Sequence, residues 1–310
     1  MRFLANRTVL ILTTGFLTSC SGLSQIQTPI NQFDQGAHSV ATNEMTFLKA
    51  VETADCNSQF YASAHDWAVG KGANFDITGT CNPTILTDQQ IQIRQQLMDA
   101  LTLYADKMLA LSSSDENKTL DSNSQQLATN LNAFAKQQGF SNLSAATDIE
   151  AAVIGIAEMA LDQKRFADIQ TAAKSMASSL KLIIDTLKTE NTNFALGVSS
   201  KLDQTEINFR DILMNTHKQR GAMSFFDVVE ARQVMQSINP LGSSPLATPP
   251  SSQTAYDPSH VADQLNSSLD AIVKANQAIA DGSTSGIIAA VNDLVTRAKA
   301  AQTDQSTLNK

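Results

Sequence analysis

The chain is poor in residues that interrupt helices or favour sheets. It has 7 prolines and 13 glycines among 310 residues, and only 5% of its side chains are aromatic. The abundant Ala, Leu, Gln and Ser suit helices better than strands, which favour β-branched and aromatic residues. We therefore predict an all-α fold: an elongated multi-helix bundle with long amphipathic helices and a C-terminal helical hairpin.

The chain also lacks an excess of positive charge. Its 22 Lys and Arg residues are outnumbered by 30 Asp and Glu residues, which gives a formal net charge of −8. Nucleic acids and anionic lipid surfaces attract basic patches, and the sequence has no basic run. We therefore predict that nucleic acid is not a partner.

Motifs that specify a reaction are missing as well. No serine stands in a GxSxG elbow, and residues 281–286 lack the GK[ST] ending of a phosphate loop, so they suit a turn between helices better. Four histidines lie far apart in the sequence and form no HExxH pair: His38, His65, His217 and His260. We predict no catalytic residue, no metal ligand and no cofactor, and an enzyme is the least favoured class of function.

Residues 1–19 have the organisation of a secretory signal. Two arginines precede a largely apolar core, residues 8–17, and small residues lead up to the first cysteine, Cys20. A ten-residue core is too short for a bilayer, which requires roughly 20 apolar residues. The sequence Leu17-Thr18-Ser19-Cys20 resembles the lipobox of bacterial lipoproteins, and this resemblance covers the signal alone.

The resemblance implies a lipid anchor. In such lipoproteins the cysteine thiol receives a diacylglycerol and the new amino terminus is acylated, so Cys20 is the expected attachment point. Ser21, rather than an aspartate, follows it, which in Gram-negative lipoproteins implies the outer membrane, with the protein facing the periplasm. The alternative is an ordinary secreted protein. We expect another cell-envelope protein as partner.

Lipidation of Cys20 would leave two cysteines, Cys56 and Cys81. An oxidising periplasm would join such an even pair. Closing a loop of about 25 residues would stabilise the fold by roughly 3 kcal/mol in the chain-entropy account. A metal pair and two free thiols are the alternatives, and no histidine spacing supports the metal pair. We therefore predict a Cys56–Cys81 disulfide.

Composition divides the chain into five parts. Residues 1–19 are the signal peptide, and residues 20–32, rich in Ser, Gln, Gly and Pro, are predicted to be the lipidated N-terminus and a tether. Apolar residues at three- and four-residue steps predict a helical bundle over 33–239. Residues 240–257 contain four prolines among serines and are predicted to be a linker. The remainder, 258–310, is the predicted hairpin, which should dock on the bundle or on a partner.

Helix boundaries are marked by capping residues. Thr87 and Gln90 match a capping box at the start of one helix, and Asp257-Pro258 match an N-cap followed by proline. Further apolar stripes predict helices within 120–139, 149–161 and 225–238.

One segment should dominate the shape. No proline interrupts residues 147–217, and 167–217 alone would form a helix on the order of 75 Å long. The alternative is two helices, with a break near 162–165 or at Gly197.

Two function classes remain after these exclusions. The first is an envelope-anchored interaction or scaffold module, which long helices and an acyl anchor both permit. The second is a sensor or carrier that binds a small ligand between its helices. His65 and Asp66, beside Tyr61 and Trp67, are the densest polar and aromatic group near Cys56, and they would suit either a ligand pocket or ordinary packing.

Overall fold

The computed structural model describes residues 18–71, 81–112, 166–220 and 257–306. Of these residues 93% are helical, and none lies in a strand. The all-α multi-helix bundle predicted from composition is therefore confirmed. The five described helices are α1 (Thr18–Ala68), α2 (Asp88–Ser112), α3 (Phe166–Arg220), α4 (Pro258–Asp281) and α5 (Thr284–Ser306).

The two longest helices, α1 and α3, run parallel. Glu44 of α1 contacts Asn191 of α3, and further along both helices Asp55 contacts Lys201. Helices α2 and α4 run the opposite way. The loop before α2 meets Asp55, for example, whereas Asp106 near the end of α2 reaches back to His38.

Two clusters of buried apolar side chains hold the bundle together. The larger draws on all five helices, and the smaller joins α1 and α3 to the loop before α2 and to both C-terminal helices. Fully burying one Val, Leu, Ile or Phe side chain stabilises a fold by about 1.5–3 kcal/mol. The predicted C-terminal hairpin, α4 and α5, is therefore docked on the main bundle. The predicted linker lies outside the described residues except for its last position, Asp257.

The bundle is elongated, as predicted. Helix α3 has 55 residues and α1 has 51, which correspond to lengths of about 82 Å and 76 Å. A sphere-like domain of about 290 residues would have a radius of gyration of roughly 19 Å and hence a diameter of only about 50 Å. Helix α3 also continues through Gly197 without a break. The other considered break, at 162–165, lies outside the described residues.

Gly197 has a packing role instead. A Cβ atom built at this position would lie 3.3 Å from Cδ1 of Ile85, in the loop before α2. The glycine therefore allows the loop to approach α3 closely.

Residues 20–32 differ from the predicted tether. All of these residues belong to α1, which begins at Thr18. Ile26 and Ile30 are fully buried in the larger core cluster. These two residues are four apart and continue the buried face of the helix. Pro29 lies inside α1 and cannot donate to the carbonyl of Gln25, a cost that the burial of neighbouring apolar side chains offsets.

The helix boundaries that are described agree with the capping signals. The Thr87 N–H donates to Oε1 of Gln90 at 3.0 Å, and the Gln90 N–H donates to the Thr87 hydroxyl at 3.3 Å, which confirms the capping box. Asp257 accepts a hydrogen bond from the Ser259 N–H at 2.9 Å. Gly282 has φ of 78° and ends α4, and Ser283 completes the turn before α5, so the hairpin turn lies within the predicted segment 281–286.

The helices predicted within 120–139, 149–161 and 225–238 lie outside the described residues. Within the described part of the chain, no helix combines the length and the hydropathy that a membrane span requires.

Candidate functional site

The predicted disulfide joins α1 to the segment before α2. Cys56 and Cys81 are bonded, with their Cα atoms 5.3 Å apart. Beside them, the Gln59 side-chain amide donates to the carbonyl of Asn82 at 2.8 Å. The bond lies 36 residues beyond Cys20 along α1, about 54 Å at the helical rise. We call the part of the bundle beyond this bond, residues 56–68 of α1 and 202–215 of α3, the distal end.

Asp55 holds the same loop from inside the bundle. Its side chain is fully buried, accepts hydrogen bonds from the backbone N–H groups of Thr84 and Ile85, and pairs with Nζ of Lys201 at 2.8 Å. Burial alone would raise the pKa of Asp55, but the Lys201 ammonium and the donors of the loop together lower it to about 2. The loop therefore depends on a charged aspartate as well as on the disulfide.

The polar and aromatic group predicted around His65 is present at the distal end. Tyr61 packs edge-on against Phe209 of α3, with ring centroids 5.6 Å apart. His65 lies 3.4 Å from Asp66 and 3.8 Å from Asp211 of α3. The sequence does not predict that Phe209 and Asp211 belong to this group, because only the folded structure brings α3 close to α1.

Several large apolar side chains remain exposed at the distal end. Trp67 is 56% exposed and Met214 is 53% exposed, and Phe60 and Ile207 are exposed to a lesser degree. Solvent-exposed aromatic and methionine side chains are typical of surfaces that bind other proteins. The distal end is therefore the candidate interaction site.

A buried polar layer crosses the middle of the bundle. Glu44 of α1 is 1% exposed and accepts a hydrogen bond from the Asn191 amide at 2.8 Å, and Asn191 also donates to Oδ1 of Asn266 on α4 at 3.2 Å. Burial raises the pKa of Glu44 to about 8; the Asn191 hydrogen bond opposes this shift and the nearby Glu190 adds to it. This layer fixes the relative positions of three helices.

An ion pair extends the layer towards α2. Nη2 of Arg94 lies 2.6 Å from Oε1 of Glu190, and the Arg94 guanidinium stacks 4.9 Å above the ring of Phe194. Burial lowers the pKa of Arg94 and raises that of Glu190, and the attraction between the two groups opposes both shifts. A pair this buried fixes the position of α2 relative to α3 and adds little net stability.

A third group of polar side chains lies nearer the start of α1. Nε2 of His38 is 3.0 Å from Oδ1 of Asp106 on α2 and 3.7 Å from Oδ1 of Asp34. Burial, with the charge of Asp106, raises the pKa of Asp34 to about 6, although His38 acts in the opposite direction. We call these three residues the Asp34–His38–Asp106 cluster.

The sequence does not mark this cluster, because it contains one histidine and its third member, Asp106, belongs to a separate helix. The available signal was the i, i+4 spacing of Asp34 and His38, which places both on one helix face. Two of the histidines do not converge with it: His65 lies at the distal end, and His260 pairs with Asp304 at 3.3 Å. The side chains of His217 and Cys20 lie outside the description, so lipidation of Cys20 stays a prediction.

Comparison with protein-family models, curated proteins and solved structures finds no significant match for the chain.

Proposed function

We propose that the protein is a lipid-anchored cell-envelope protein whose helical body is a rigid spacer and interaction module. The observation that carries the proposal is the continuity of α1, which runs without interruption through the predicted anchor position, Cys20, to Ala68. These 48 steps along the helix correspond to about 72 Å. A membrane anchor at one end of α1 would therefore hold the other end far from the lipid surface.

Burial near the anchor supports a rigid spacer. Ile26 is fully buried only six residues after Cys20, so little free chain would separate the lipid from the packed body. A flexible tether would allow the body to sample many orientations, whereas a helix packed from its first turns limits them. The direction of the distal end relative to the membrane would then be set by the fold.

The fixed geometry of the distal end supports an interaction role. The disulfide and the Asp55–Lys201 pair hold the loop before α2 firmly beside α1 and α3. Exposed Trp67 and Met214 lie on the two helices just beyond this loop. Aromatic side chains on a rigid support bind partners at low entropic cost, so the partner expected here is another envelope protein.

In-cell photo-crosslinking tests this function. A photoreactive residue at Trp67 should capture a reproducible envelope protein, identified by mass spectrometry. The same probe at Ile288, which is 42% exposed at the start of α5, is the matched control and should not capture it. Cys20→Ala should abolish both lipid labelling and the adduct.

Two outcomes would contradict the proposal. Lipid labelling of the Cys20→Ala variant would remove the anchor. Equal capture of the same proteins at positions 67 and 288 would show that the distal end has no selective role.

A further inference from the structure

We infer that Asp34, His38 and Asp106 form a binding site for a divalent transition-metal ion such as Zn²⁺ or Mn²⁺, bridging α1 and α2. The site is independent of the proposed spacer function. It rests on the geometry of the three side chains and on a shielded carboxylate oxygen that lacks a hydrogen-bond partner. It also rests on the finding that, among the described residues, no Lys or Arg forms an ion pair with either carboxylate.

The three ligand atoms already have suitable separations. Two ligands about 2.1 Å from a tetrahedral ion are about 3.4 Å apart. The observed distances from Nε2 of His38 to the two carboxylates, 3.0 Å and 3.7 Å, bracket that value, and all three ligand atoms lie within 4.8 Å of one another. An ion could therefore be bound with only small side-chain adjustments.

The helices supply these ligands in a geometry common in metal-binding bundles. Asp34 and His38 are one turn apart on α1, and Asp106 faces them from α2. Facing helices in bundles often build metal sites from carboxylate and histidine side chains directed into the same space.

A shielded oxygen atom in the cluster lacks a hydrogen-bond partner. Oδ1 of Asp34 is shielded from solvent and has no hydrogen-bond partner among the described residues, although the side chain as a whole is 13% exposed. An unpaired buried carboxylate oxygen is costly, because it has lost its water without gaining a donor. A bound cation would satisfy this atom.

The charge balance points to the same ligand. Asp34 and Asp106 face each other, and within the described part of the chain the ion pairs of both carboxylates involve His38 alone. A neutral imidazole would leave two neighbouring carboxylates without a cation. A divalent ion would neutralise both and use the imidazole nitrogen as a third ligand.

The ligand set and the exposure of the cluster indicate which ions would bind. His38 is 48% exposed and Asp106 is 33% exposed, so an ion can enter from solvent and water can complete its coordination. Imidazole favours transition metals, whereas Ca²⁺ and Mg²⁺ prefer sites made of oxygen ligands alone. We therefore expect Zn²⁺ and Mn²⁺ to bind more tightly than Mg²⁺ or Ca²⁺.

The two other histidines whose side chains are described provide contrasts. His65 approaches Asp66 through Nδ1 but Asp211 through Nε2, so its two carboxylates lie at opposite nitrogens of the ring. Among the described residues, His260 forms an ion pair with one carboxylate, Asp304, and its side chain is 52% exposed. His260→Gln therefore removes a comparable histidine without touching the proposed site.

Calorimetric titration with ZnCl₂ or MnCl₂ tests the site in the mature protein carrying Cys20→Ser, which prevents a free thiol from competing. One equivalent of ion should bind to this protein and to its His260→Gln variant. Asp34→Asn, His38→Gln and Asp106→Asn should each weaken binding by more than the roughly 10–100-fold loss that outer-shell changes cause.

Far-ultraviolet circular dichroism checks that each variant keeps its helices, and the three near-isosteric changes provide independent tests of one site. Absence of Zn²⁺ and Mn²⁺ binding in the parent protein would overturn the inference. Unchanged affinity in folded His38→Gln protein would also overturn it.

Discussion

The Glu44 carboxyl and the Asn191 amide form a hydrogen bond of 2.8 Å between α1 and α3, and Glu44 is buried. Within the described part of the chain no ion pair involves Glu44, and the arginine beside Glu190, Arg94, is paired with that residue. An ionised Glu44 would therefore lack a cationic partner among these residues. The protonated form of Glu44 satisfies its surroundings at lower cost. Protonation and folding are therefore linked at this residue.

This linkage predicts a stability that falls as the pH rises. The pKa of Glu44 is about 8 in the folded protein against a model value of 4.5, so the folded state binds the proton more tightly than the unfolded chain. The stabilisation is fully present below about pH 4.5 and is lost progressively as the pH approaches 8, at up to about 1.4 kcal/mol per pH unit. Glu44→Gln keeps a hydrogen-bond acceptor and should flatten this dependence.

Urea denaturation at several pH values measures the effect of Glu44→Gln. Asn266→Ala is the control, because Asn266 contacts Asn191 but does not titrate. The Glu44→Gln variant should gain stability relative to the parent protein as the pH rises towards 8. Parallel profiles for the parent protein and Glu44→Gln would contradict the prediction.

A second prediction has the opposite sign. The pKa of Asp55 is about 2 in the folded protein against a model value of 3.8, so its contribution is present above about pH 3.8 and disappears as the pH falls towards 2. Asp55→Asn should destabilise the protein by about 2–3 kcal/mol at neutral pH, because Lys201 and two backbone donors lose a charged acceptor.

Double-mutant analysis with Lys201→Met separates the ion pair from the loop contacts of Asp55. The two substitutions should be non-additive, since their charged groups are 2.8 Å apart. Strictly additive effects on the free energy of unfolding would show that the pair does not couple the loop to α3.

A third prediction concerns the disulfide. Replacing Cys56 and Cys81 together by serine should lower the free energy of unfolding by about 3 kcal/mol, given their separation of 25 residues. Peptide mapping without reductant should recover the two cysteines in one linked species from the parent protein. Labelling of both by a thiol reagent in native, unreduced protein would contradict the bond.

Local patterns in the sequence were sufficient for much of this fold. Capping residues such as Thr87 and Asp257 act within one helical turn, so their roles can be inferred without a tertiary structure. The predicted tether was wrong at Ile26 and Ile30, because two apolar residues one helical turn apart pack the segment into the core although its overall composition is polar. The Asp34–His38–Asp106 cluster and the pairing of Phe209 with Tyr61 required the relative placement of separate helices, which local spacing does not specify.

A fourth prediction tests the assignment of residues 20–32 to α1. Ile30 is fully buried in the larger core cluster, so Ile30→Ala should cost about 2–5 kcal/mol through lost burial and a residual cavity. Ile288→Ala is the matched control, because Ile288 is 42% exposed, and it should change stability by no more than about 0.5 kcal/mol. Equal effects of the two substitutions in thermal or urea unfolding would show that residues 20–32 are a tether and not part of the packed bundle.

The fifth prediction follows from the length of α3. A rod as long as its 55 residues, about 82 Å, has a radius of gyration of about 24 Å from its length alone. A sphere-like protein of about 290 residues would give roughly 19 Å. Small-angle X-ray scattering from residues 21–310 should therefore give a radius of gyration clearly above 19 Å and an asymmetric pair-distance distribution.

Gly197→Pro is the informative variant, because proline inside α3 should break or kink the helix and shorten the longest dimension. A parent protein that scatters as a sphere, or a Gly197→Pro variant with unchanged dimensions, would contradict the continuous helix on which the spacer proposal depends.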